Sequence, residues 1–231
     1  MKLFSCFKRR RNPDQGKIPV PPNVQKPEPK EPPKLEEDSW AVKAYHNSVY
    51  ETTRFHKELM YIKEEYLKYT SRYLAVEHYT GVPAKVICAI HALECSLSFT
   101  KILHNGENLK DVERRGTIYV PKGVGKGKGW SWESAAVDAL TREASKFPDK
   151  WDIAGTLDFL ERFNGLGYRK YHKNVNTPYL WSGTQHYIKG KYTEKRNWLG
   201  RIRSYFDNDL VSKQVGCVPI LRTLAYEGVD K

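Results

Sequence analysis

Apolar residues recur at helical spacing near the middle of the chain. Within residues 86–100 they follow one another at offsets of four, three and four, in the order Val86, Ile90, Leu93 and Leu97. This spacing places them on one face of a helix, and Pro83 suits its first turn. Glu94 is the only acidic residue of the stretch, which contains no lysine or arginine. The pattern predicts an apolar helix with one carboxyl at the edge of its apolar face.

Helical spacing continues on both sides of this helix. The predicted segments are residues 40–78, which hold one or two long helices, and residues 132–146, 152–163 and 207–226. Glycines after residue 163 should end the third of these segments, and Pro219 should kink the last. Helices are therefore expected to dominate the fold.

One short strand and a glycine-rich loop interrupt the helices. Residues 117–120 have the composition of a strand, and residues 121–130 contain three lysines and four glycines. The glycine spacing fits neither common phosphate-binding motif, so a mobile basic loop is predicted instead of a nucleotide site. The fold class expected is α+β and predominantly α-helical, with a small strand and loop lobe inserted after the helix that carries Glu94.

The first 38 residues differ in composition from the rest. They contain eight of the thirteen prolines and a run of four basic residues at positions 8–11. We expect residues 1–38 to be a disordered, basic, proline-rich leader, and residues 39–231 to form one domain.

No secretory signal is recognisable, because the short apolar start precedes the basic run instead of following it. No stretch approaches the ~20 apolar residues of a membrane span. We therefore expect synthesis in the cytoplasm and no transmembrane segment.

The formal net charge of +12 predicts an anionic partner, and an aromatic content of 13% suits the stacking of either bases or sugar rings. Nucleic acid, an anionic membrane and a bacterial cell wall all remain open at this point. The four cysteines have no zinc-binding spacing, so neither a metal nor a cofactor is expected. Cys88 and Cys95 are predicted to be buried free thiols.

Glu94 has the setting of a general acid. Helical geometry projects it beside Ile87 and Ile90, where desolvation is expected to raise its pKa. A carboxyl that stays protonated near neutral pH can protonate a glycosidic oxygen. A solvated glutamate at a helix end is the alternative that this helix alone leaves open.

Several motifs resemble those of the lysozyme-like superfamily. Ala-Leu-Glu-Cys-Ser-Leu-Ser-Phe at 92–99 is similar to the Glu-Ser-Ser-x-x-Phe signature around the catalytic acid of phage and bacterial murein hydrolases. Leu-His-Asn-Gly-Glu at 103–107 and Val-Pro-Lys-Gly at 120–123 resemble lobe motifs of one such group, and residues 163–168 and 177–187 resemble its substrate-side motifs. The resemblance covers about residues 80–225 and implies a lysozyme-like domain.

The resemblance implies a set of site residues. Glu94 would be the catalytic acid. Glu107 stands where an aspartate is expected and is the candidate second carboxylate, with Asp111 and Glu113 as the other possible ones. Cys95 replaces a serine. The implied substrate-binding residues are His104, Asn105, Asn164, Tyr168, Tyr179 and Trp181.

Structural roles remain open for most of these residues. His104 and Asn105 could shape the loop, Asn164 could end a helix, and the aromatic rings could belong to the core. His91 is expected to be a packed neighbour of Glu94. Trp181 is the preferred sugar platform because its neighbours are polar and include glycine.

The function expected is cleavage of the β-1,4 bond between N-acetylmuramic acid and N-acetylglucosamine in peptidoglycan. The partner would be the glycan strands of a bacterial wall, with no nucleic acid expected. The sequence leaves open whether water or the muramyl 6-hydroxyl completes the reaction. Two alternatives are a non-enzymatic module that binds nucleic acid or cell wall, and a virion or secretion-system component tethered through the leader.

Overall fold

The computed structural model describes residues 32–50, 54–196 and 202–229. In that part of the chain there are ten α-helices, one 3₁₀ turn and one two-stranded sheet. The expected α+β, predominantly helical class is confirmed.

The predicted run at 40–78 divides into three helices. These are α1 (Trp40–His46), α2 (His56–Lys68) and α3 (Thr70–Thr80). Tyr69 separates the last two and donates its N–H to the carbonyl of Glu65, which closes α2. The hydrophobic spacing passes through these breaks because side chains on both sides of each break contribute to the same core.

Helix α4 (Ala84–Cys95) carries Glu94 and crosses the core. Nine of its twelve residues are buried, so it meets apolar neighbours on most sides. It packs against α2, α3 and α10 (Cys217–Thr223). The free thiols of Cys88 and Cys95 are buried as predicted.

Short helices follow α4, and most begin with a side-chain cap. Their bounds are α5 (Leu109–Arg115), α6 (Trp132–Thr141), α7 (Ile153–Asn164), α8 (Gly167–Tyr171) and α9 (Pro178–Trp181). The 3₁₀ turn Ala144–Lys146 follows α6. Side-chain oxygens that accept from a backbone N–H of the first turn belong to Asn108, Ser131, Asp152 and Thr177.

The sheet lies elsewhere than predicted. Strands β1 (Lys191–Arg196) and β2 (Ile202–Asp207) pair antiparallel, with Lys191 opposite Asp207. Residues 117–120 form no strand, since two of their backbone N–H groups donate to the carboxylate of Glu107. The lobe after α4 therefore consists of loops and the short helix α5.

The last helix is shorter than predicted. Instead of spanning residues 207–226, α10 covers seven residues and begins after Gly216. Gly216 approaches the carbonyl of Leu180 so closely that a Cβ atom would overlap it. Pro219 is the third helical residue, where its missing N–H costs no intrahelical bond, so it fits the first turn and does not kink the helix.

The end of the predicted leader lies against the domain. The carbonyls of Pro32 and Pro33 accept hydrogen bonds from Arg162 and Arg169. Leu35 packs against the main core. Residues 1–31 lie outside the described part of the chain.

A buried aromatic cluster joins α3, α4 and α6 around His91. The centroid of the imidazole ring lies 4.7 Å from the centroid of the Phe99 ring and 4.6 Å from the centroid of the Trp132 ring. Its Nδ1 is 3.0 Å from the hydroxyl of Tyr73. Burial lowers the pKa of His91 to about 4, and the nearby positive charge of Arg72 acts in the same direction. His91 is thus the packed neighbour that the sequence predicted.

His91 should make the fold acid-sensitive. In the unfolded chain histidine binds a proton near pH 6.5, whereas the buried ring binds one only near pH 4. Between these values the unfolded state holds the extra proton, so stability falls as the pH drops, by a few kcal/mol in order of magnitude. Urea unfolding at pH 7, 5.5 and 4.5 measures this slope.

The variant His91→Gln keeps an acceptor for Tyr73 but does not titrate. We expect its stability to fall less steeply than that of the wild type over the same pH range. Equal slopes for the two proteins would contradict the assignment of acid sensitivity to His91.

Candidate active site

Glu94 is the next-to-last residue of α4, and its side chain is half-buried. The hydroxyl of Tyr179 donates a hydrogen bond to Oε1 of Glu94 over 3.3 Å. Tyr179 is itself half-buried and lies on α9, far from Glu94 in sequence. The structure therefore brings together two of the residues that the sequence assigned to the site.

The carboxyl end of α4 is fixed by bonds to its last carbonyls. Ser96 and Leu97 both adopt left-handed backbone conformations, and their N–H groups donate to carbonyls of the last turn. This conformation costs roughly 1–2 kcal/mol for a residue other than glycine. The side-chain amide of Gln214 donates to the carbonyl of Leu93 over 2.8 Å. These contacts set the direction in which Glu94 leaves the helix.

The lobe loop presses directly on this helix end. Gly106 has φ of +74°, and a Cβ atom there would lie 2.9 Å from the carbonyl oxygen of Glu94. Cys95 stands where the resemblance expects serine, and its thiol still donates to the carbonyl of Ile102 over 3.3 Å. Burial raises the pKa of the Cys95 thiol, and the charge of Glu94 adds to the effect. The thiol thus stays protonated as a weak donor.

The side chain of Glu107 is buried and bonded to other residues of the lobe. Its side chain is 5% exposed. Its carboxylate accepts hydrogen bonds from the backbone N–H groups of Ile118 and Tyr119, each over 3.0 Å, and from Asn105 Nδ2 over 2.9 Å. Arg115 Nη1 lies 3.4 Å from the other oxygen. This carboxylate organises the loop, and its geometry does not support the expected role of a second catalytic carboxylate.

Asn105 and His104 also hold the loop. The side-chain oxygen of Asn105 accepts the N–H of Glu107 over 3.0 Å. His104 Nε2 lies 2.8 Å from an oxygen of Asp138 on α6, and its ring stacks on Trp130 with centroids 5.5 Å apart. His104, whose side chain is 1% exposed, has the loop-shaping position that the sequence left as its alternative role.

Asp138 receives a second partner, Arg142, whose Nε donates to it over 2.6 Å. Burial acts to raise the pKa of Asp138, but the hydrogen bonds from Arg142 and His104 outweigh it, so the pKa is lowered. Asp138 therefore stays ionised as the acceptor that ties the lobe loop to α6.

Trp181 lies in the core and presents no ring face as a sugar platform. Its side chain is 3% exposed, and its ring lies 5.3 Å from that of Trp40 and 5.5 Å from that of His186. The polar residues that follow Trp181, which suggested exposure, are used within the fold. The carbonyl of Ser182 accepts the N–H of Gly216, and the hydroxyl of Thr184 donates to the carbonyl of Trp181.

Tyr168 and Asn164 lie at a helix junction. Tyr168 is buried, and its hydroxyl accepts the N–H of Tyr192 over 3.3 Å. Asn164 is the half-buried last residue of α7, followed by Gly165 with φ of +110°. Its position fits the helix-stop alternative.

The sequence analysis missed several supporting residues. Gln214 at the end of α4, Arg115 beside Glu107 and Asp138 beside His104 are ordinary polar residues with no distinguishing pattern around them. Their partners are between eight and 121 positions away, so no local spacing marks them.

Two cavities lie away from Glu94. One of about 950 Å³ is bounded by residues 32–37 and by residues from the segment 145–170. The other, of about 140 Å³, is lined by Tyr168 and Trp181 among others. Glu94 lines neither of them.

No protein-family model matches the chain, and no curated protein or solved structure gives a significant match. Within the described ranges, no helix has the length and apolar character needed to cross a membrane. The same residues hold no group of three or more histidine, cysteine or acidic side chains arranged for a metal ion.

Glu107→Gln tests the structural role of this carboxylate. The amide loses the charge-assisted bonds to the backbone and to Arg115, so we expect a stability loss of roughly 1–3 kcal/mol. Any catalytic activity per folded molecule should largely survive. Asp111→Asn, which removes a neighbouring carboxylate whose side chain is 47% exposed, should cost much less. Complete loss of activity at an unchanged melting temperature would instead mark Glu107 as catalytic.

Trp181→Ala should behave as a core truncation. We expect a loss of roughly 3–5 kcal/mol in the free energy of unfolding, measured by urea titration. Trp40→Ala removes the same side chain from a position that is 53% exposed and should cost clearly less. Equal, small losses for the two variants would contradict the core position of Trp181 and indicate a surface ring.

Proposed function

We propose that this protein cleaves the β-1,4 glycosidic bond between N-acetylmuramic acid and N-acetylglucosamine in peptidoglycan. Glu94 is the general acid of this proposal and protonates the departing oxygen. The reaction takes place at a bacterial cell wall, and the proposed fold family is lysozyme-like.

The arrangement around Glu94 carries the proposal. The half-buried carboxyl of Glu94 lies at the end of an apolar helix, and one of its oxygens accepts a hydrogen bond from the Tyr179 hydroxyl. The lobe loop packs against the backbone carbonyl of Glu94 at Gly106. An acid that is partly removed from water but still reachable suits proton donation to a bound substrate. A module that only binds its ligand has no use for such a carboxyl.

The substrate class is supported by sequence motifs and by the net charge. The motifs around Glu94 and at 103–107 resemble those of murein hydrolases, and the chain has a net charge of +12. A basic protein is attracted to the anionic polymers of a bacterial wall. The leader, if it tethers the domain to a virion or a secretion assembly, would change delivery and leave the chemistry as it is.

The proposal assigns one catalytic carboxylate. The Glu107 carboxylate is used within the lobe, so it is not assigned to the activation of water. The other two lobe acids also have partners, since Asp111 pairs with Arg114 and the Glu113 carboxylate accepts the N–H of Gly129. Glu94, after giving up its proton, then acts as the base that removes the proton of the muramyl 6-hydroxyl. Attack by that hydroxyl gives a 1,6-anhydro sugar, which is the product expected here.

Glu94→Gln is the direct test. The amide keeps the shape of the side chain but has no acid proton, so lysis of purified walls should fall by about 10²–10⁴-fold while the fold is retained. Mass spectrometry of the muropeptides released by the wild type identifies anhydro or hydrated ends.

The matched control is Glu64→Gln on the exposed face of α2, which should lyse walls at the wild-type rate. Wall lysis by a folded Glu94→Gln protein at more than about a tenth of the wild-type rate would refute the acid assignment. Hydrated ends would keep Glu94 as the acid but reject the single-carboxylate step.

A further inference from the structure

The loop between α5 and α6 displays three lysines that have no acidic partner in the described part of the chain. Lys122, Lys126 and Lys128 are all exposed, and none forms an ion pair there. The neighbouring arginines do have acidic partners: Arg114 pairs with Asp111, and Arg115 pairs with Glu107. We call residues 122–129, which carry these three lysines, the basic loop.

Backbone hydrogen bonds hold the basic loop against α5. The N–H of Gly127 donates to the carbonyl of Glu113 over 3.0 Å, and that of Gly129 donates to the carboxylate of Glu113 over 2.8 Å. Gly125 has φ of +86°, and a Cβ atom there would lie 2.6 Å from the ring of Trp130. The sequence predicts a mobile basic loop; in the structure these contacts tie its backbone to α5 and to Trp130.

Two exposed apolar side chains precede the lysines in the loop between α5 and α6. Ile118 is 49% exposed and Tyr119 is 43% exposed. Their backbone N–H groups are fixed by the buried carboxylate of Glu107. This surface therefore combines an aromatic ring with unpaired positive charge, which suits a polymer that has both sugar rings and anionic groups.

The same carboxylate connects this surface to the candidate active site. Glu107 bonds to Asn105, and the next residue, Gly106, packs against the carbonyl of Glu94. The loop that carries the lysines is thereby connected, through Glu107 and Gly106, to the helix end that carries Glu94.

We propose that the basic loop, together with Tyr119, binds the stem-peptide carboxylates of peptidoglycan and holds the strand during cleavage. This inference rests on the proposed function. The ligand chemistry is a row of carboxylates on a glycan, and its attraction to the lysines weakens as salt rises.

The test uses Glu94→Gln protein, which binds walls without cutting them. In this background Lys122, Lys126 and Lys128 are all changed to Gln, and binding to sacculi stripped of teichoic acid is measured by co-sedimentation. We expect binding at least about tenfold weaker at low salt, and a smaller change in binding as salt rises than for the protein that keeps the three lysines. The matched control changes the exposed Lys57, Lys63 and Lys213 to Gln and should alter binding by less than about twofold.

A second arm separates this inference from the proposed function. With Glu94 intact, the triple basic-loop variant should cut intact sacculi more slowly than the wild type. The two proteins should cut sacculi at similar rates once the carboxylates of the sacculi have been converted to amides. If the wild type cuts neither substrate, the proposed function fails, while the binding arm still reports on the basic loop.

Three results would overturn the inference. One is an equal loss of binding in both triple variants, which would assign the effect to net charge. Another is a loss seen only on walls that retain teichoic acid, which would assign the site to phosphodiesters. The third is unchanged binding to sacculi with weaker binding to a fluorescent DNA duplex, which would identify a nucleic-acid surface.

Discussion

The carboxyl end of α4 has to satisfy its last backbone carbonyls while the residues around it stay buried. Water cannot reach most of this helix, so the partners come from the protein: Gln214 donates to one carbonyl, and the left-handed turn at Ser96 and Leu97 supplies two more N–H groups. Every one of these bonds also restricts the direction of Glu94. The position of the carboxyl is therefore a consequence of closing a buried helix.

The lobe extends this constraint outward. Gly106 touches the carbonyl of Glu94, Glu107 collects N–H groups from the next loop, and His104 reaches Asp138 on α6. The acidic side chains near the loop are thus used as internal acceptors. A lobe made of loops and one short helix needs such buried carboxylates, because a loop leaves backbone N–H groups without the partners that a sheet would give them.

Local periodicity was enough to predict α4 and α7, since each helix repeats its apolar residues at helical spacing. The Ser131 cap marked the start of α6, which ends at Thr141 instead of residue 146. It was not enough at residues 40–78, where one apolar pattern runs across three helices, or at β1 and β2, whose pairing joins segments of mixed composition. The roles of Glu107 and Trp181 depend on contacts with distant segments. Sequence alone identified both residues but gave them the wrong surroundings.

Trp181 and Tyr179 share a helix of four residues, which is too short to be stable by itself. Burial of Trp181 against Trp40 anchors it, and the close approach of Gly216 to Leu180 fixes it from the other side. Tyr179 is then held where its hydroxyl meets Glu94. Trp181 thus affects the candidate active site indirectly, because its burial determines where Tyr179 lies.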